Sequence, residues 1–202
     1  MISRNIKFLI AALILLSAAG GGLYFLATLN SPTADAPAAD KDQKNEPPPF
    51  TLDRPIAITA NLSLKDAVEA KKVLNQTIKS LKQYPDVYED WIQLGLYRKL
   101  IGDYEGAREA WEYAAKIRPT IGVAFHNLGN LYASELKDIE KAEQYYLKAI
   151  ENEPVHIQWY VAAYEYYRFL AHDNAKARAI LRKGIEINPD QQAVLAQMLA
   201  TF

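Results

Sequence analysis

Cysteine is absent from the 202-residue chain, which removes disulfides, thiolate metal sites and cysteine nucleophiles together. That absence fixes no compartment, because an exported domain can stand on packing alone. An excess of one charge is also missing: 23 Lys and Arg face 24 Asp and Glu, for a formal net charge of −1. Nucleic-acid binding needs a basic surface to displace counterions, and no local run supplies one, so no nucleic acid is expected as a partner. The chain has no G-x-S-x-G, no H-E-x-x-H and no phosphate-loop pattern. Gly20-Gly21-Gly22 lies in an apolar run, where it cannot cradle a phosphate in water. His126, His156 and His172 sit in separate segments, and neither a carboxylate nor a second histidine lies four residues from His126. Glu105, Glu109, Glu112, Glu140 and Glu143 interleave with Arg108 and Lys141, the pattern of solvated helix faces. With no catalytic constellation, an enzyme is not expected, and no metal or cofactor is implied.

Hydrophobic residues make up 50% of the chain, enough for a sizeable core. Phe8 to Leu29 carries no charged side chain over 22 residues. As a helix it would be about 33 Å long, a match to a bilayer core. Arg4 and Lys7 precede it, and the first acidic residue is Asp35. Residues 1–30 therefore read as an N-terminal membrane anchor, with a transmembrane helix over about 8–29 in contact with the lipid bilayer. The alternative is a signal peptide cleaved near Ser17-Ala18-Ala19, giving a secreted protein. The run continues through Tyr24, Phe25 and Leu29, longer than the ~7–15 residues of a signal core, which favours a retained single-pass anchor. The positive-inside rule puts the N-terminus in the cytoplasm and the bulk of the chain outside the cell (inner) membrane. Ser17 with Gly21, and Ala18 with Gly22, are small-residue pairs of the kind that let helices pack, although a Gly/Ala-rich helix facing only lipid is the favoured account and no transmembrane dimer is expected.

Proline organises the rest of the chain. Pro32, Pro37, Pro47, Pro48, Pro49 and Pro55 cluster with Ala, Asp and Lys, so residues 31–60 read as a flexible, mostly unpacked linker. The other four, Pro85, Pro119, Pro154 and Pro189, are spaced by 34, 35 and 35 residues. A fixed period of this size marks stacked repeats, and each proline ends a helical pattern it cannot continue. Turn signals divide each unit at Ile101-Gly102-Asp103, Leu136-Lys137-Asp138 and His172-Asp173-Asn174. Each unit is thus a helical hairpin that must stack on a neighbour to bury its face.

Within the units the same residue types recur. The first has Trp91, Leu94 and Gly95, then Ala107, Trp111, Ala114 and Pro119; the second has Phe125, Leu128, Gly129 and Tyr132, then Ala142, Tyr146, Ala149 and Pro154. The third is looser, with Tyr160, Ala163, Tyr164 and Tyr167, then Ala177, Leu181, Gly184 and Pro189. This pattern resembles the tetratricopeptide repeat over about 86–190. Two departures stand out. Arg98 occupies a position where the family usually has Tyr, and Tyr164 replaces the small residue of the close helix crossing, so the third hairpin should splay or shift. The expected fold is all-α: an α-solenoid of three hairpins (86–119, 121–154, 156–189) within a domain spanning 61–202, beside the transmembrane helix. A leading helix over 63–84, opened by the capping box Ser63–Asp66, and a capping helix over 190–202, opened by Asp190, should close its ends. The leading helix is expected to turn Leu64, Ala67, Val68, Leu74, Ile78 and Leu81 inward.

The resemblance implies a protein or peptide partner held along the first helices. The expected groove residues are Glu89, Ile92, Leu96 and Lys99 in the first unit, and Val123, His126, Asn127 and Asn130 in the second. Gln158, Val161, Glu165 and Arg168 complete it in the third. Asn130 would serve a peptide backbone, and Ile92, Leu96 and Val161 would take apolar side chains. The positions with which some family members grip a terminal carboxylate hold Ile92, Leu96, Asn127, Gln158 and Ala162 here, without a basic residue, so that specificity is not expected. The reading is a membrane-anchored interaction adaptor or assembly factor. The alternative is a homo-oligomerisation module built on the aromatic cluster Trp159, Tyr160, Tyr164, Tyr166, Tyr167 and Phe169, most of which packing would also explain.

Overall fold

The computed structural model describes residues 52–202. The expected anchor at 8–29 and the linker up to residue 51 lie outside them. Among the described residues no helix is long and apolar enough to cross a membrane.

Helix α1 spans Leu64–Gln83. Three hairpins follow: α2 (Tyr88–Leu100) with α3 (Tyr104–Ile117), α4 (Gly122–Ser134) with α5 (Ile139–Asn152), and α6 (Ile157–Glu165) with α7 (Asn174–Ile187). A 3₁₀ turn (Pro189–Gln191) leads into α8 (Gln192–Leu199). Each helix packs on its chain neighbours in order, α1 on α2, α3 on α4, α5 on α6 and α7 on α8. The result is a linear stack of hairpins, and no strand occurs among the described residues.

The period has a local chemical basis. Tyr84, Arg118, Glu153 and Asn188 each precede a proline and end a helix in a non-helical conformation. Their φ, between −124° and −138°, is where the following pyrrolidine ring pushes them. The turns inside the hairpins repeat as strictly. Gly102, Lys137 and His172 have φ of 84°, 58° and 54°. Asp103, Asp138 and Asp173 follow them and cap the next helix, accepting from the amides of Gly106, Lys141 and Lys176. A left-handed residue followed by an aspartate cap thus reverses the chain three times.

The hairpins close by apposing a small residue to a large one. A Cβ on Gly95 would lie 2.2 Å from the Trp111 indole, and one on Gly129 3.1 Å from the Tyr146 ring. In the third hairpin the sizes are exchanged: Tyr164 stands at the glycine position and Leu181 at the aromatic one, while Gly184 admits Tyr160. The helix does not continue regularly past that exchange. Residues Tyr166–Leu170 form a π-helical turn after α6, two residues beyond Tyr164. Tyr166 and Tyr167 are buried there, their hydroxyls donating to the Ile139 carbonyl (2.7 Å) and the Glu143 carboxylate (2.9 Å).

Three expectations at the ends need correction. The inward face of α1 is Ala70, Val73, Leu74, Thr77 and Leu81, whereas Leu64 and Val68 are 83% and 60% exposed. The face used is the one that Thr77 can join by donating to Gln93 of α2 at 2.6 Å. At the other end, Asp190 makes no side-chain cap; it sits inside the 3₁₀ turn, and α8 covers the stack with the buried Leu195. The linker, finally, stops being free before residue 60. Arg98, 2% exposed, donates to the carbonyls of Pro55 (2.8 Å) and Arg54 (2.9 Å) and to Asp103 (3.1 Å). Arg54 pairs with Asp103 and Glu109, and the amides of Thr59 and Ala60 both donate to the Ile101 carbonyl. A strap of backbone at 54–60 is therefore stitched to the first hairpin by Arg98 and by the Ile101 carbonyl.

Candidate interaction face

Side chains link the first helices α2, α4 and α6 in order. Lys99 of α2 reaches Glu135 at the end of α4, with Nζ 3.8 Å from Oε1. The His126 ring of α4 lies 5.2 Å from the Trp159 indole of α6. Trp159 is buried, anchored through Nε1 to Glu153, whose same carboxylate oxygen accepts the first amide of α4 at Gly122 (2.7 Å). One carboxylate before Pro154 thus ties the starts of two first helices together.

The centre of the face is a polar chain. Asn130 donates from Nδ2 to His126 Nε2 (2.9 Å) and accepts the Tyr146 hydroxyl at Oδ1 (2.6 Å). The amide orientation makes Nε2 an acceptor, so a proton there would face the Asn130 N–H. Burial, seconded by the Lys99 ammonium, lowers the His126 pKa to about 4. Desolvation also lowers Lys99, against the pull of Glu135, and raises Glu165 above the usual carboxylate range. The imidazole is neutral at pH 7, and the face holds uncharged hydrogen-bonding groups between one cation and scattered carboxylates.

The expected groove residues divide. Leu96, Lys99, Val123, His126, Asn130, Gln158, Val161 and Glu165 are partly exposed, and Glu89 is exposed. Ile92 and Asn127 are not on the face: they are 4% and 5% exposed. The Ile92 carbonyl accepts the Trp111 indole, which locks that turn of α2 against α3. Asn127 falls on one stripe with Ala124 and Leu131, both fully buried, a second packed side of α4 beyond the Gly129 side. Its amide nitrogen has no hydrogen-bond acceptor among the described residues. Asn130 is present but bonded within the chain, leaving it less to offer a peptide backbone. Arg168 points elsewhere, donating to the Tyr164 hydroxyl at 2.6 Å and lying over the Phe202 ring at 4.5 Å. The π-helical turn places an extra residue in that turn and takes Arg168 out of line with Val161 and Glu165.

Sequence reasoning missed Glu135, Trp159 and the hydroxyl of Tyr146 as parts of this face. Tyr146 and Trp159 read as packing residues, and their polar atoms become visible only through their partners. Five of the six clustered aromatics of the third hairpin are buried, leaving Phe169, 59% exposed, beside Leu170, 45% exposed.

The tetratricopeptide repeat family matches residues 123–156, the span of the second hairpin through Pro154. No curated protein matches the chain. The match and the stacked hairpins together support a tetratricopeptide-repeat protein of α-solenoid form, and repeats of this class generally mediate binding of protein partners.

Proposed function

We propose that the chain is a membrane-anchored adaptor or assembly factor whose first-helix face binds a segment or helix of a partner protein. The observation that carries this reading is the continuity of the face across hairpins, through Lys99–Glu135 and His126–Trp159. Leu96 and Val161 offer apolar contacts on it, and the neutral His126–Asn130–Tyr146 chain lies between them. Residues 8–29 anchor the chain, with the N-terminus cytoplasmic and the repeats on the extracytoplasmic side; the alternative is release after signal cleavage. No catalytic step, metal or cofactor enters the proposal.

Photo-crosslinking in the native host tests it. A crosslinker at Leu96 or Val161 of the full chain is expected to capture a common partner, and one at the exposed Glu140 is expected to miss it. Capture that ignores the position, or that is undiminished at Leu96 by Val161→Asp and at Val161 by Leu96→Asp, removes the face from the argument. Protease access to the repeats from outside intact cells tests the topology. Exposed Phe169, Leu170 and Val194 favour a second reading, self-association through the third hairpin and α8. Sedimentation that shows a monomer at every concentration disposes of it.

A further inference from the structure

The outward side of α1 is a basic stripe. Leu64, Val68, Lys71, Asn75, Lys79 and Lys82 succeed one another at steps of three and four residues, so they share one face of the helix, with Lys72 and Lys65 on its flank. All are exposed, and the face is opposite the buried Val73, Thr77 and Leu81. The acidic residues of the helix, Asp66 and Glu69, lie off the stripe. Lys82 pairs with Asp53 and Lys72 with Glu69 at 3.5 Å, while Lys65, Lys71 and Lys79 make no ion pair among the described residues. The hairpins behind it carry more acidic than basic side chains, so the molecule is polarised although its net charge is −1.

We propose that this face of α1 rests on an anionic lipid surface, with Leu64 and Val68 entering the headgroup region and the lysines meeting lipid phosphates. Three features favour a membrane over an acidic protein or nucleic acid. The charges lie along a rigid rod about 30 Å long, suited to a plane. The two apolar residues stand together at its N-terminal end, on the same face as the lysines. The helix is also the first described helix that follows, in sequence, the apolar segment at 8–29, whose reading as an anchor this inference rests on. Each lysine near an anionic leaflet is worth about a fivefold gain in association, screened within a Debye length.

The cysteine-free full chain allows one fluorophore at Asn75→Cys, with Glu140→Cys as the control site. The chain is reconstituted in vesicles of phosphatidylcholine, alone or with phosphatidylglycerol, carrying a headgroup energy acceptor. The expected result is transfer from residue 75 that rises only with the anionic lipid and collapses at about 0.5 M salt. Lys71→Glu with Lys72→Glu and Lys79→Glu should weaken it on the order of a hundredfold, with helicity by circular dichroism unchanged. No rise with anionic lipid overturns the proposal, as does acceptor-labelled polyglutamate or duplex nucleic acid giving the same transfer from residue 75 as the anionic vesicles. Co-sedimentation with neutral vesicles reports the anchor separately. Its failure, with anionic transfer intact, would discard the anchor and keep the α1 contact.

Discussion

The guanidinium of Arg98 donates to the backbone carbonyl of Pro55 at 2.8 Å across 43 residues of chain. A residue in the apolar row of the first hairpin thereby holds the end of a proline-rich segment, together with Asp103 and the Arg54 carbonyl. Buried and hydrogen-bonded on several sides, this cation costs more to strip of partners than to keep.

Arg98→Ala is expected to destabilise the domain by about 3 kcal/mol, since it leaves the buried side of Asp103 and two carbonyls without their donor. Arg98→Tyr separates the strap from the hairpin. It should retain the helices while amide exchange at Thr59 and Ala60 speeds up. Unchanged protection at both amides would show that the strap holds by other means.

The left-handed turn residues predict opposite responses at equivalent positions. Lys137→Gly and His172→Gly relieve a positive φ and should each stabilise by about 0.5–1 kcal/mol in a denaturant titration. Gly102→Ala should destabilise by more than ~1 kcal/mol, because it adds strain at φ 84° and meets Thr59 Oγ1 at 2.2 Å.

Two glycines at matching helix crossings should tolerate a methyl group unequally. Gly95→Ala drives Cβ to 2.2 Å from the Trp111 ring and is expected to cost about 3 kcal/mol. Gly129→Ala meets Tyr146 at 3.1 Å, which a slight ring displacement relieves, and should cost about 1 kcal/mol. Thermal melts of the two variants rank them directly.

Acid should unfold the domain partly through His126. Its folded pKa of about 4 lies below the ordinary 6.5, so the unfolded chain binds the proton more tightly. The penalty is absent above about pH 6.5, grows as pH falls and is complete below about pH 4, with a size of order 1–3 kcal/mol. Glu165, raised by burial, contributes in the opposite sense just above pH 4.5. The difference between the wild-type and His126→Gln stability profiles isolates the histidine. A difference independent of pH between 4 and 6.5 would contradict this assignment.

Asn127 tests the boundary between face and core. Removing an amide whose nitrogen lacks an acceptor offsets the cavity it leaves, so Asn127→Ala should change stability by less than about 1 kcal/mol. Partner capture at Leu96 and Val161 should be unaffected.

The hairpins were legible because two independent signals share one period: prolines that end the second helices, and Gly102-Asp103, Lys137-Asp138 and Asp173 that start them. The strap was not, since proline and charge in residues 52–60 read as coil unless a distant buried donor is known. Arg98 was the visible clue, a cation on an apolar row without an obvious reason. Within the face, Ile92 and Asn127 were misplaced because each first helix was assigned one buried stripe. A solenoid helix buries two, one inside its hairpin and one toward its neighbour, and Ala124, Asn127 and Leu131 spell the second. The π-helical turn left no trace beyond Tyr164, whose bulk announced a change without its form.

That turn also sets a limit on length. The row of first-helix residues proceeds from Leu96 through Val123 to Val161 and Glu165, and there the winding of the backbone alters, turning Arg168 toward Phe202. On the proposed reading, a partner segment laid along the row would meet this change of winding at the end of α6, in the third hairpin.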